Sequence, residues 1–171
     1  MNIKSVPFLL ILLILGSTVA EKKILHKVEK EHYFSSAESK DTFQILLTGD
    51  SIIDGEVVFR ILSTAGDTIF TESFPSKYLI GYDSIEDDST QKKEEYILQR
   101  MNEFFDEEKF SQPAIGENES CDADYSDCKI WDILKKDQTA IGFHYLVGEE
   151  RGCNIAYSKI LKKVVTYFYC C

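Results

Sequence analysis

The stretch TFQILLTGDSIIDGEVVFRILSTAGDTIFTESF, residues 42–74, contains three short apolar segments that are separated by turn residues. In residues 42–48 and 56–62 apolar side chains recur at every second position, and a third segment, 68–74, stops at Pro75. A period of two is typical of half-buried β-strands. Gly, Asp and Ser cluster between the segments and favour tight turns. The stretch therefore predicts a three-stranded antiparallel meander.

Two helices are predicted after the meander. Within residues 90–108, four apolar side chains recur at i, i+4, i+7 and i+8, which is the spacing of one helix face. They are Ile97, Met101, Phe104 and Phe105. Asp88 followed by Gln91 resembles a capping pair at the start of this helix. Residues 127–136 predict a second, shorter helix with Trp131 on its apolar face.

Three more strands are predicted in the last third of the chain, at residues 139–147, 153–158 and 164–169. The order is thus three strands, two helices, three strands, without the alternation of strand and helix that parallel sheets require. We expect an α+β fold, with an antiparallel sheet of about six strands and the helices packed on one side. Residues 42–171 form one domain in this prediction.

The N-terminus has the pattern of a secretory signal peptide. Lys4 precedes an apolar run of ten residues, 6–15, and small residues lead to Ala20. This order predicts export and cleavage after Ala20, so residues 1–20 are assigned to the signal peptide. An uncleaved anchor is the alternative, although the run is much shorter than the roughly 20 residues of a membrane-spanning helix. Residues 21–41 are highly charged and predict a mobile leader.

The charge of the chain restricts its partners. The net charge is −10, and because the signal peptide holds one Lys and no acidic residue, its removal leaves −11. Such a surface repels phosphate backbones and anionic lipid headgroups, so we expect neither a nucleic acid nor, after cleavage, a membrane as partner. A protein partner with a basic surface is favoured. Nothing in the sequence predicts the oligomeric state.

Five cysteines in an exported chain indicate disulfides, and the odd number leaves at least one over. Cys121 and Cys128 close a short polar loop and are the simplest pair. Cys153 would meet Cys170 or Cys171 if their strands were neighbours. The alternative is that several of them are buried as small apolar residues. The spacings match neither a zinc ribbon nor a redox Cys-x-x-Cys motif.

Catalytic motifs are missing from the sequence. His144 and Cys153 would face each other across a hairpin, and a Cys–His nucleophile pair is one hypothesis, although a nucleophile also needs a third, orienting group. The alternative is an ordinary strand histidine. A pair of carboxylates among the many acidic residues is a further enzymatic alternative. Because no signature surrounds any of these residues, we predict no catalytic residue and no cofactor.

The spacing of the acidic residues in the polar loop suggests one kind of metal site, a calcium-binding loop. Asp122, Asp124 and Ser126 are spaced like the opening of a calcium loop. Asp127 then occupies the position that needs Gly, and Ile133 stands where a bidentate Glu belongs. A solvated acidic loop explains the residues better, and we predict no metal site.

Over about residues 42–171 the chain resembles an uncharacterised group of small exported bacterial proteins, and its C-terminal third is the most distinctive part. The resemblance depends on Trp131, on the segments 139–143, 148–150 and 155–159, and on the final Cys170-Cys171. It implies an exported bacterial context and no assigned activity.

The sequence favours a non-catalytic exported binding domain that contacts a protein partner, located in the periplasm, at the cell surface or outside the cell. Tyrosines of the last strands would provide the contact surface, because an exposed tyrosine combines an apolar ring with a polar hydroxyl. These are Tyr145, Tyr157, Tyr167 and Tyr169. A small exported enzyme and a structural accessory of an envelope assembly are the alternatives.

Overall fold

The computed structural model describes residues 23–81, 89–148 and 151–170. The predicted signal peptide, the proposed capping residue Asp88 and Cys171 lie outside these ranges. Within them the chain forms two four-stranded antiparallel sheets, in which each strand pairs with its neighbours in sequence. No helix in the described ranges is long and apolar enough to cross a membrane.

Sheet A contains the first four strands, in the order β1-β2-β3-β4. They are β1 (Ile24–Tyr33), β2 (Lys40–Thr48), β3 (Glu56–Leu62) and β4 (Thr68–Pro75). A short 3-10 helix, Ser76–Leu79, follows β4, and helix α1 (Thr90–Asn102) comes next. The last three strands of this sheet are the predicted meander.

Sheet B contains the remaining strands, in the order β5-β6-β7-β8. They are β5 (Phe110–Ser111), β6 (Gly142–Val147), β7 (Arg151–Ser158) and β8 (Lys163–Cys170). A 3-10 helix, Glu107–Lys109, precedes β5, and helix α2 (Cys128–Lys135) lies between β5 and β6.

The predicted six-stranded sheet with helices on one side is wrong. The structure has eight described strands in two sheets, because β1 and β5 are added and because the two meanders face each other instead of extending one sheet. From Lys27 to Tyr33, β1 alternates exposed and half-buried residues. The predicted mobile leader, residues 21–41, therefore contains a paired strand. His32 of β1 stacks on Phe110 of β5, with ring centroids 3.9 Å apart.

An aromatic core lies between the two sheets. Phe59 of β3 has its ring centroid 5.6 Å from that of Phe143 and 5.2 Å from that of Tyr145, both on β6. Phe43 of β2 also contacts Phe143, at 5.2 Å. Burying a side chain of this size contributes roughly 1.5–3 kcal/mol. The contact between the sheets therefore supplies much of the hydrophobic stabilisation.

Helix α1 closes one side of this core. Ser89 is its N-cap, and the Ser89 hydroxyl accepts a hydrogen bond from the backbone N–H of Lys92. Ile97 and Met101 are fully buried against the core. The helix ends at Asn102, before the predicted end at residue 108. The turns after it place Phe104 and Phe105 in the same core.

Helix α2 covers the other face of sheet B. Asp127 is its N-cap, and the Asp127 carboxylate accepts hydrogen bonds from the backbone N–H groups of Lys129 and Ile130. Trp131 of α2 packs edge to face on Tyr167 of β8, with ring centroids 6.0 Å apart. The described residues thus stack as three layers, which are sheet A, sheet B and α2.

Candidate functional site

A disulfide holds the polar loop that precedes α2. Cys121 and Cys128 are bonded, with their Cα atoms 5.6 Å apart, so this predicted pair is present. Inside the loop, Asp122 Oδ1 accepts a hydrogen bond from the backbone N–H of Asp124. Since Asp127 also caps α2, both ends of the loop are held by local hydrogen bonds and by the disulfide.

The loop lies along β8, the edge strand of sheet B. The backbone N–H of Tyr169 donates to the carbonyl of Tyr125, with an N···O distance of 2.8 Å. The ring of Tyr125 also approaches Phe168, with centroids 6.1 Å apart. The polar loop is therefore attached to the sheet and has a defined position.

Between the loop and β8 is a cleft of about 600 Å³, which we call the loop groove. Residues 123–127 form one side and residues 166–169 form the other. Tyr125 and Tyr169 are 41% and 44% exposed, so both rings present area to solvent. Residues 117–127 carry five acidic side chains and no basic one. The groove is thus aromatic and bordered by negative charge.

The predicted tyrosine surface is only partly present. Tyr145 and Tyr167 are each 3% exposed and belong to the two cores, and Tyr157 is half-buried. Tyr169 is the only exposed member of the predicted set. Tyr125 was missed, because it lies in an irregular loop where no strand or helix periodicity indicates which way a side chain points.

His144 and Cys153 lie on opposite faces of sheet B. In the register of β6 and β7, Tyr145 is opposite Cys153 and His144 is opposite Asn154. Neighbouring side chains of a strand point to opposite faces. His144 is exposed, and its Nδ1 is 2.6 Å from the Asn154 side-chain oxygen, whereas Cys153 is 2% exposed in the core. The hypothesised Cys–His pair is therefore not formed.

Cys153 belongs to a polar junction that is built on Glu72. The Glu72 carboxylate accepts hydrogen bonds from Tyr145 Oη at 2.5 Å and from Arg151 Nη2 at 2.8 Å. The Cys153 thiol interacts with Tyr145 and Arg151. Burial, and then the negative charge of Glu72, raise the pKa of this thiol. A nucleophilic cysteine needs the opposite shift, so this junction is suited to holding the sheets together.

The other two cysteines predicted to form disulfides, Cys153 and Cys170, are not bonded to each other. Cys170 is disulfide-bonded, whereas Cys153 is free and buried. Cys153 is opposite Tyr169 in the register of β7 and β8, and Cys170 is opposite Gly152. The alternative bridge from Cys153 to Cys170 is therefore not present.

Two acidic residues of the polar loop are engaged in local hydrogen bonds. Across residues 23–81, 89–148 and 151–170, no group of three or more His, Cys, Asp or Glu side chains is arranged to hold a metal ion. Asp122 and Asp127 direct carboxylate oxygens at backbone N–H groups. These two carboxylates thus have local structural roles.

No family model, curated protein or solved structure matches this chain. The resemblance to small exported bacterial proteins consequently stays a hypothesis. The chemistry of the loop groove is the remaining basis for a functional conclusion.

Proposed function

We propose that this protein is an exported, non-catalytic interaction domain that binds a basic segment of a partner protein in the loop groove. The observation that carries the proposal is a cleft that is lined by two exposed tyrosines, Tyr125 and Tyr169, and bordered by an acidic loop that a disulfide holds in place. The loop groove has a volume of about 600 Å³ and is open to solvent, as binding of an extended segment requires.

Charge determines the kind of segment. The net charge of −10, and the acidic border of residues 117–127, attract Lys and Arg side chains and speed their association. The guanidinium of Arg151 already lies over the Tyr169 ring, 5.1 Å from its centroid. A cation of the partner that lies on the exposed ring of Tyr125 would gain a further 0.5–1 kcal/mol or so. An extended segment in which basic and apolar residues are mixed fits both features.

The segment would bind through its side chains. The Tyr125 carbonyl already accepts the Tyr169 N–H, so the loop occupies part of the free edge of β8. Addition of a partner strand along that edge would have to displace the loop, which the disulfide opposes. Side-chain contacts in the groove need no such displacement.

The disulfide between Cys121 and Cys128 fits an oxidising, exported location. The periplasm, the cell surface and the medium all provide such an environment. The resemblance in the C-terminal third and the N-terminal signal pattern support the same proposal.

The proposal is tested by selecting random displayed peptides on the oxidised protein and measuring the affinity of the selected sequences by calorimetry. We expect enrichment of Lys and Arg. Replacing Asp124→Lys or Tyr169→Ala should weaken binding about tenfold or more, equivalent to about 1.4 kcal/mol. Asp67→Lys is the matched control, because Asp67 lies in the exposed turn between β3 and β4.

Selected peptides without basic residues, or peptides whose affinity is the same for Asp124→Lys and for Asp67→Lys, would contradict the proposal. In either case the loop groove would not be the binding surface.

A further inference from the structure

A second, smaller cavity of about 100 Å³ lies between the end of α1, the 3-10 helix Glu107–Lys109 and β6. It shares no lining residue with the loop groove. Two of its lining residues, Arg100 and Lys109, are cationic, in a protein whose net charge is −10. The other lining residues are Leu79, Phe104, His144, Tyr145 and Leu146.

Arg100 is the first of two cations that line this cavity. Its side chain is half-buried, and its guanidinium makes no hydrogen bond or ion pair with any residue in the described ranges. A guanidinium offers five N–H donors in a planar fork. A partly desolvated group of this kind gains most from an acceptor with two oxygens.

Lys109 places a second cation beside the first. Its Nζ donates to the backbone carbonyl of Glu103 at 2.6 Å and lies 5.8 Å from the centroid of the Phe104 ring. Burial, and then the positive charge of Arg100, lower the pKa of Lys109, while the negative charges of Asp106, Glu103 and Glu108 act in the opposite direction. The two cations are therefore close enough to repel each other.

His144 and Tyr145 contribute to the lining from β6. The His144 imidazole is directed towards β7, where its Nδ1 is 2.6 Å from the Asn154 side-chain oxygen and its Cε1 lies near Gly152. The cations that the cavity offers to a ligand are therefore Arg100 and Lys109.

We propose that this cavity binds a small oxyanion, through a carboxylate or phosphate group. Two oxygens of such a group would accept hydrogen bonds from Arg100 and Lys109 and relieve the repulsion between them. A water molecule takes about 30 Å³ of liquid volume, so a cavity of about 100 Å³ has room for roughly three waters or for one group of this size. Larger ligands would have to extend into solvent.

The test is a titration of the oxidised protein with acetate and, separately, with inorganic phosphate, followed by amide chemical shifts at constant ionic strength. Saturable shifts should appear around Arg100, Lys109 and His144, and the two arms tell which group binds more tightly. Arg100→Gln and Lys109→Met should each weaken the apparent affinity about tenfold or more. Lys136→Met, an exposed change after α2, is the charge-matched control and should leave it unchanged.

Two outcomes would overturn this inference. One is a set of shifts that does not saturate with either anion. The other is a loss of affinity that is equal in Lys136→Met and Lys109→Met, since that would indicate screening of the whole protein. Because Arg100 and Lys109 are replaced separately, misfolding of one variant leaves the other to decide. Neither outcome bears on peptide binding in the loop groove.

Discussion

Tyr145 of sheet B donates a hydrogen bond to Glu72 of sheet A, with an O···O distance of 2.5 Å. The second oxygen of the same carboxylate accepts from Arg151, so one side chain of β4 joins β6 and β7 across the core. Hydrogen bonds are directional, whereas hydrophobic burial is not. The junction on Glu72 therefore fixes how the two sheets are aligned.

Replacing Glu72→Gln should destabilise the protein by roughly 1–3 kcal/mol, since Arg151 loses its ion pair and Tyr145 keeps only a neutral acceptor. Urea unfolding, followed by circular dichroism, measures the change. Glu38→Gln is the control, because Glu38 is exposed on the turn before β2. Equal midpoints for the two variants would show that the junction has no role in stability.

Phe59 is the aromatic centre of the contact between the sheets, fully buried and close to the rings of both β6 aromatics. Phe59→Ala should cost about 3–5 kcal/mol through lost burial and the cavity that is left. Phe59→Leu should cost clearly less, because it fills more of the space. The free energies of unfolding of both variants test the expectation, and a loss below about 1 kcal/mol for Phe59→Ala would contradict it.

The fold was predictable where side-chain alternation is clean and unpredictable where it is not. β3 buries every second residue. In β2 the apolar residues Phe43, Ile45 and Leu47 recur at every second position and are fully buried, although the residues between them are buried as well. Both strands follow directly from the apolar pattern of the sequence. In β1 the half-buried face includes the polar residues Lys30 and His32. Both faces of this strand therefore carry charged or polar side chains, and a search for alternating apolar residues does not detect it. β5 has two residues, too few for any periodicity.

In the candidate site, too, the local contacts were predictable from the sequence and the long-range contacts were not. Cys121 and Cys128 are seven residues apart and close a short polar loop, so they were the simplest pair in a chain whose export predicted disulfides. Tyr145 and Glu72 are 73 residues apart in the sequence, and Tyr125 is also far in sequence from Tyr169 of β8, to which it is hydrogen-bonded. No local sequence pattern indicates either contact. Such contacts depend on which faces of the two sheets meet. A single sequence carries no signal for that choice.

Stability should fall at alkaline pH because of the buried tyrosines. Burial, the main cause, and the charge of Glu119 raise the pKa of Tyr167 to about 12, against the opposing hydroxyl of Ser111. The pKa of the unfolded tyrosine is about 10, so the stabilisation is complete below pH ~10 and is lost as the pH rises towards about 12. Burial and the bond to Glu72 raise the pKa of Tyr145 as well.

Tyr167→Phe isolates this effect. Near pH 7 the variant should lose about 1 kcal/mol, because the hydrogen bond from Tyr167 Oη to the Ala114 carbonyl is removed. Above pH ~10 its stability should decline less steeply than that of the unmodified protein, by up to about 1.4 kcal/mol per pH unit. Urea midpoints across the alkaline range provide the comparison, and parallel curves would refute the assignment.

The disulfide at the loop groove should contribute to stability and to binding. Replacing both Cys121→Ser and Cys128→Ser should cost roughly 2–3 kcal/mol, from the entropy of an unfolded loop of this length. Peptides selected on the oxidised protein should also bind the double variant more weakly. Unchanged peptide affinity would show that the loop keeps its position without the disulfide.

The Cys153 thiol should be unreactive in the native protein. It is 2% exposed and its pKa is raised, so neither access nor thiolate formation favours alkylation. Treatment with iodoacetamide, followed by peptide mass spectrometry, should modify Cys153 only in denaturant. Modification at equal rates with and without denaturant would be inconsistent with the buried junction.

The order of the strands has a consequence for how the molecule can be divided. Every strand pair in the described ranges joins neighbours in sequence, and none connects β1–β4 with β5–β8. A cut in the chain after the 3-10 helix Ser76–Leu79 would leave each meander complete on its own fragment. The two fragments would contact each other through aromatic rings and the hydrogen bonds of the Glu72 carboxylate. Each piece would expose the apolar face that its counterpart covers. This arrangement is the one that fragment complementation requires, in which two separate fragments of a protein fold when they associate.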